Sequence, residues 1–166
     1  MHNIFFLYLV AKLRHMKEIT IDYVLRATWQ AVAKMYNEEA KGFGSTMAVG
    51  FTLLSIDPKT GTPSTALGPK MGMEATSLSR ILKTMEKRAL IERHPNPDDG
   101  RGVIIKLTEF GREKRAYSKE KVLTFNEAIK NNVSAEKLKH FYEVAETISD
   151  MVSNKKIYNQ NESILK

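Results

Sequence analysis

The sequence predicts a mainly α-helical fold that carries one small β-hairpin. Three observations predict it. Leu78, Ile81, Leu82 and Met85 recur at helical spacing, which makes residues 73–90 an amphipathic helix. Directly after it, a short strand at residues 91–94 and a β-branched strand at 103–107 flank a turn-forming cluster at 95–100. In that cluster proline fixes φ, Asn and Asp close local turns, and Gly accepts positive φ. On either side, residues 17–41, 109–130 and 134–152 repeat the helical pattern with more apolar surface than so small a lobe needs.

Composition narrows the class. The chain has 166 residues, enough for one domain with a real core. Its net charge of +7 favours an anionic partner. The excess is local: residues 70–115 hold eleven Lys and Arg against seven Asp and Glu. There are no cysteines, so neither a disulfide framework nor a thiol switch is available. His2, His15, His94 and His140 are scattered without partners at ligand spacing, so no metal site and no cofactor are expected. No glycine-rich phosphate loop, His-Glu-x-x-His or nucleophile elbow is present, and no enzyme is expected. Glu38 and Glu39 are neighbours on a helix and point about 100° apart, which makes them a solvated face and not an acid/base pair. Asp98-Asp99, beside Pro97 and without further ligands, is a poor metal cage. No apolar stretch approaches the roughly 20 residues of a membrane span.

Taken in order, residues 1–16 form an apolar N-terminal extension without the charge-first pattern and cleavage site of a signal peptide. Two origins are open for it: an upstream start codon, or a segment that packs on a dimer. The first long helix places Ile21, Val24, Leu25, Thr28, Ala31, Val32, Met35 and Tyr36 on one face, and Gly42 and Gly44 stop it. Ser45 is expected to cap the next helix, residues 46–56, and residues 57–61 form a turn. A short helix follows at 64–71, short or kinked because Pro69 lacks an N–H, and Gly72 supplies the turn to helix 73–90. Thr108 can cap the helix 109–130, Asn131-Asn132 is expected to break it, and Ser134 to cap the last helix. That helix carries the stripe Leu138, Phe141, Tyr142, Ala145, Ile148 and Val152. Asn132-Val133-Ser134 fits a glycosylation sequon but is read as a helix cap, and the tail from residue 154 is polar.

Opposite the apolar stripe of helix 73–90 stands a second stripe: Thr76, Arg80, Lys83 and Lys87, with Ser77 beside Thr76 at the front. Short hydroxyls and an Arg suit base edges, and lysines farther along suit phosphates.

The contiguous run LSRILKTMEKRALIERHPNPDDGRGVIIKLTEFG resembles the core of the MarR (multiple antibiotic resistance regulator) family of winged helix-turn-helix repressors. Its wing pattern, Asp, one residue, Arg, matches Asp99-Gly100-Arg101, and the close of the wing matches Leu107-Thr108-Glu109-Phe110-Gly111. Gly68-Pro69 departs from the family, in which the first helix of the helix-turn-helix is usually uninterrupted. The resemblance implies one domain over residues 17–153, with the winged helix-turn-helix at about 45–108 and dimerisation helices at about 17–42 and 109–153.

It also implies a function: a cytoplasmic homodimer that binds double-stranded DNA at pseudo-palindromic operators and represses transcription. Thr76, Ser77, Arg80, Lys83, Lys87 and Arg101 are then the DNA contacts, and Asp99 orients Arg101 through a charge-assisted hydrogen bond. A small aromatic or lipophilic anion is the expected effector, with Trp29, Tyr36, Met47 and Phe51 as candidate pocket residues. The competing reading of those four is plain core. The competing function is a winged-helix protein-interaction module that does not bind DNA.

Overall fold

The computed structural model describes residues 19–42, 44–97 and 99–158, apart from the side chain of Arg101. The expected extension 1–16 lies outside the described residues, as does the tail beyond residue 158. The chain divides into two compact units, residues 1–118 and 119–166.

In the first unit, α1 spans Ile21–Lys41. The Thr20 side chain hydrogen-bonds the Asp22 carboxylate in the first turn and holds its carboxyl below the usual range. Only Ala40 of this helix is buried. Ile21, Val24, Leu25 and Trp29 stand exposed. Helix α2, Met47–Ser55, begins one residue later than expected. Its cap is Thr46, whose hydroxyl accepts the Val49 N–H at 3.3 Å. Ser45 is buried instead, and its chain has turned inward before the helix starts. Asn37 reaches across from α1 and accepts the Met47 N–H at 3.0 Å.

The turn after α2 is closed by Asp57, whose carboxylate accepts the N–H groups of Lys59 and Thr60, each at 2.8 Å. Those bonds hold its carboxyl below the usual range. Strand β1, Thr62–Pro63, follows and was not expected. Two residues are too few to show a period of two, and only pairing with a distant strand makes them one.

Helix α3 is Ser64–Met71 with Pro69 inside its last turn. It is short, as the proline predicts. Gly72, at φ 58°, ends it, and the Met73 N–H returns to the Gly68 carbonyl at 3.0 Å. Helix α4, Ala75–Lys87, buries Leu78, Leu82 and Met85. Its apolar pattern runs on to Leu90, yet the helix stops at Lys87. Ala89 takes φ 53°, and the Leu90 N–H bonds the Met85 carbonyl at 2.9 Å, so Leu90 reaches the core from the cap and not from the helix.

Strands β2, Ile91–Asn96, and β3, Asp99–Leu107, form the hairpin. The sheet has three antiparallel strands in the order β1-β3-β2. The expected turn at 95–100 is too long. Pro95 pairs with Val103 and Asn96 with Asp99, with an irregular register between Pro95 and Asn96. Strand β2 is an edge, where proline is tolerated. The core is made of Val49, Leu53, Ile56, Leu67, Leu78, Leu82, Met85, Leu90, Ile91, Ile105 and Leu107. It lies under α4 and the sheet, so the opposite face of α4 is pushed outward.

Thr108 caps α5, Glu109–Asn132, by accepting the Gly111 N–H at 2.9 Å. Gly50 and Ser118 are packed so closely that a Cβ on Gly50 would sit 3.3 Å from the Ser118 hydroxyl. In the second unit, α5 continues through both Asn131 and Asn132 before it breaks. The Asn132 amide donates to the Ala128 carbonyl at 2.8 Å, which keeps it helical. Ser134 then caps α6, Ala135–Ser153, by accepting the Lys137 N–H. No residue of α6 is buried, and Phe141, Tyr142, Val144 and Val152 are each 58–59% exposed.

Candidate nucleic-acid interface

Helix α4 presents the site. With Leu78, Leu82 and Met85 inward, the 3.6-residue period puts Thr76, Arg80, Lys83 and Lys87 outward, and all four are exposed. Ser77 is exposed beside them. The nearby carboxylates Glu74 and Glu86 lie off this face. Glu86 pairs instead with Arg93 of β2, Nε to Oε2 at 3.0 Å, both partly exposed. That pair fastens the root of the hairpin to α4, with a contribution of about 0–1 kcal/mol for so exposed an ion pair. With Ser77, the outward face therefore carries three cations and two hydroxyls.

The hairpin holds the other expected contact. Arg101 lies in β3, and its side chain is outside the described residues. Asp99 and Gly100 open the same strand. A Cβ on Gly102 would lie 3.1 Å from both the Asp99 carboxylate and the Asn96 amide, so these two side chains fold back over a backbone left bare by glycine.

Two cavities share Met73, in the turn between α3 and α4. One, of about 440 Å³, is lined by Trp29, Met47, Phe51, Leu54, Lys70, Met71 and Met73 among others. It brings three of the four expected pocket residues together. Trp29 and Phe51 rings lie 6.5 Å apart. Tyr36 is not in the lining: it meets Phe51 edge-on, with ring centroids 5.6 Å apart. Burial pushes the Tyr36 phenol above its usual value of 10.0. The other cavity, of about 550 Å³, lies between α3 and α4 and includes Ser64, Thr65, Pro69, Ser79 and Arg93. It was not expected from the sequence. Among the described residues, no group of three or more His, Cys, Asp or Glu could hold a metal ion. No helix of the described residues is long and apolar enough to cross a membrane.

Two short helices joined at a glycine turn, with a hairpin behind the second, define a winged helix-turn-helix. The family model for the MarR family matches residues 46–103, which span α2 to the middle of β3. An HTH-type transcriptional regulator of Bacillus subtilis (strain 168), YdgJ, is 28% identical over 88 residues, 53% of this chain and 54% of that protein. The chain thus aligns with about half the length of the curated relatives it matches. A mutant MarR from E. coli complexed with operator DNA superposes with a TM-score of 0.69 at 22% identity, covering 77% of this chain and 92% of that one. PcaV from Streptomyces coelicolor, in complex with its natural ligand, gives 0.68 at 17% identity, covering 82% and 99%. At such identities the likeness is one of fold. The motif and the fold agree with the family match: residues 46–103 are similar to the MarR family, and the fold is that of its solved members.

Proposed function

We propose that the protein is a dimeric, sequence-specific DNA-binding transcription regulator that acts in the cytoplasm as a repressor of pseudo-palindromic operators. The observation that carries this reading is the outward stripe of α4, with exposed hydroxyls in front, Arg80 next, and Lys83 and Lys87 behind. Thr76, Ser77 and Arg80 read base edges in the major groove, while Lys83 and Lys87 hold phosphates. Arg101 enters the flanking minor groove, and Asp99 orients it. Dimerisation is supported by the apolar side chains left open on α1 and α6, Ile21, Val24, Leu25 and Trp29 on one and Phe141, Tyr142, Val144 and Val152 on the other. The relatives named as transcriptional regulators support regulation over catalysis.

An aromatic or lipophilic anion relieves repression from the 440 Å³ cavity, whose size suits a small molecule. Trp29, Met47 and Phe51 supply apolar wall and Lys70 a cation. The test is a gel shift on the DNA upstream of the protein's own gene. A retarded band that scrambled duplex does not compete away is the expected result. Equal competition by scrambled duplex removes the sequence-specific reading.

A further inference from the structure

One cluster outside the DNA-reading stripe is tied more closely than a strand-to-helix turn requires. Thr108, the last residue before α5, uses its hydroxyl twice. It donates to the Ala89 carbonyl at 2.6 Å and accepts the Gly111 N–H at 2.9 Å. Its own N–H donates to the Leu90 carbonyl at 3.2 Å. Ala89 and Leu90 are the cap of α4: Ala89 in the left-handed region, and Leu90 bonded back to Met85. Gly111 is buried in the first turn of α5, and any Cβ there would collide with the Leu90 carbonyl oxygen. Arg112 adds a clamp from the other side, Nη1 to the Leu107 carbonyl at 3.1 Å. The C-terminal end of the reading helix and the N-terminal end of α5 are therefore joined backbone to backbone, with one hydroxyl serving both.

We propose that Thr108 and Gly111 are positioning residues that fix the angle at which α5 leaves the reading helix, and that this joint sets the half-site spacing the dimer accepts. The proposal rests on the dimeric DNA-binding reading above. In a dimer held by its terminal helices, each reading helix is placed by the direction of its own α5. One base pair of altered spacing displaces a half-site by about 3.4 Å and turns it by about 35°. A joint closed by three hydrogen bonds and a backbone contact with no room for a methyl group resists that displacement. The hydroxyl is the part that can be removed without changing shape.

The experiment is selection from a duplex library with 30 randomised base pairs, run in parallel with the wild type, Thr108→Ser and Thr108→Val, followed by titration on the selected half-site at spacings one base pair shorter and longer. Thr108→Ser keeps both hydroxyl bonds, and Thr108→Val keeps the shape and loses them. The wild type and the serine variant are expected to select one spacing and to lose about tenfold or more at the neighbouring ones, the scale of one mismatched base pair. The valine variant is expected to select the same half-site over several spacings, with the loss reduced to about threefold or less on that same scale. A folded valine variant that binds more weakly everywhere but keeps the wild-type spacing overturns the proposal, because a merely structural role lowers affinity without changing spacing. Should the valine chain not fold, Thr108→Ala removes the hydroxyl without bulk and carries the same two outcomes. A wild type that selects no paired half-sites overturns the dimeric reading itself, and it does so in an arm that contains no substitution.

Discussion

Lys83 and Lys87 offer the most quantitative check on how α4 meets DNA. Both are exposed on the outward stripe, one and two turns behind Arg80, where a helix docked by its front end leaves the groove floor and passes the backbone. Each neutralised phosphate contributes about −0.9 to the slope of log affinity against log salt. A dimer carries two copies of each lysine, so Lys83→Ala should make the slope shallower by about 1.8. Between 50 and 200 mM salt, the variant should then lose about tenfold less affinity than the wild type. Lys87→Ala should match it, and the double variant should show about twice the change. Fluorescence anisotropy on operator and on scrambled duplex across that salt range supplies both slopes. Because phosphates carry no sequence, the change must be equal on the two duplexes. An unaltered slope on both duplexes removes these lysines from the interface. A change confined to the operator makes them base readers and reverses the proposed direction of docking.

Further outcomes are expected for substitutions elsewhere in the chain. Arg80→Ala should cost about 1–3 kcal/mol of discrimination at one base position per half-site, and equal weakening on operator and scrambled duplex would reduce Arg80 to a phosphate contact. Arg101→Ala should weaken operator binding, and Asp99→Ala should weaken it too, although it removes a negative charge. Tighter binding by a folded Asp99→Ala protein, titrated at fixed salt, would show that the carboxylate does not orient the arginine. Ala89→Gly should stabilise the fold by about 0.5–1 kcal/mol, since an L residue in the left-handed region costs more than glycine's extra chain entropy. A lowered midpoint in urea would contradict the strain assigned to φ 53°. Truncation after Asn132 should leave a monomer or an insoluble chain, and sedimentation of a soluble, DNA-binding dimer would exclude α6 from the interface.

The parts of the fold that were legible in the sequence are those with a local cause. The buried stripe of α4, the length of α3 and the Thr108 and Ser134 caps follow from spacing and from proline or hydroxyl chemistry within a few residues. Strand β1 was not legible, because Thr62 and Pro63 become a strand only by meeting Ile105 and Ile104. The turn at 95–100 was overdrawn for the converse reason. Pro95 and Asn96 favour turns in isolation, and their pairing with β3 overrides that preference. Of the candidate site, the α4 stripe could be read directly because a helix orders its own faces. The 550 Å³ cavity could not, since its Arg93 and Ser79 come from different elements and no local pattern links them. Tyr36 shares its helical face with other apolar residues, but only the packing shows that it meets Phe51 edge-on and stays out of the cavity's lining.

The two prolines of the sheet have a consequence beyond the hairpin. With the order β1-β3-β2, the outer strands are β1 and β2, and Pro63 lies in one and Pro95 in the other. An open sheet edge is a template on which a foreign chain can grow a ladder, and proline on an edge withholds a donor from it. Strand β2 adds Glu92, Arg93 and His94 in sequence, which makes that border polar as well. The small sheet is thus blunted on both flanks. Strand addition is thereby disfavoured at both borders of the sheet.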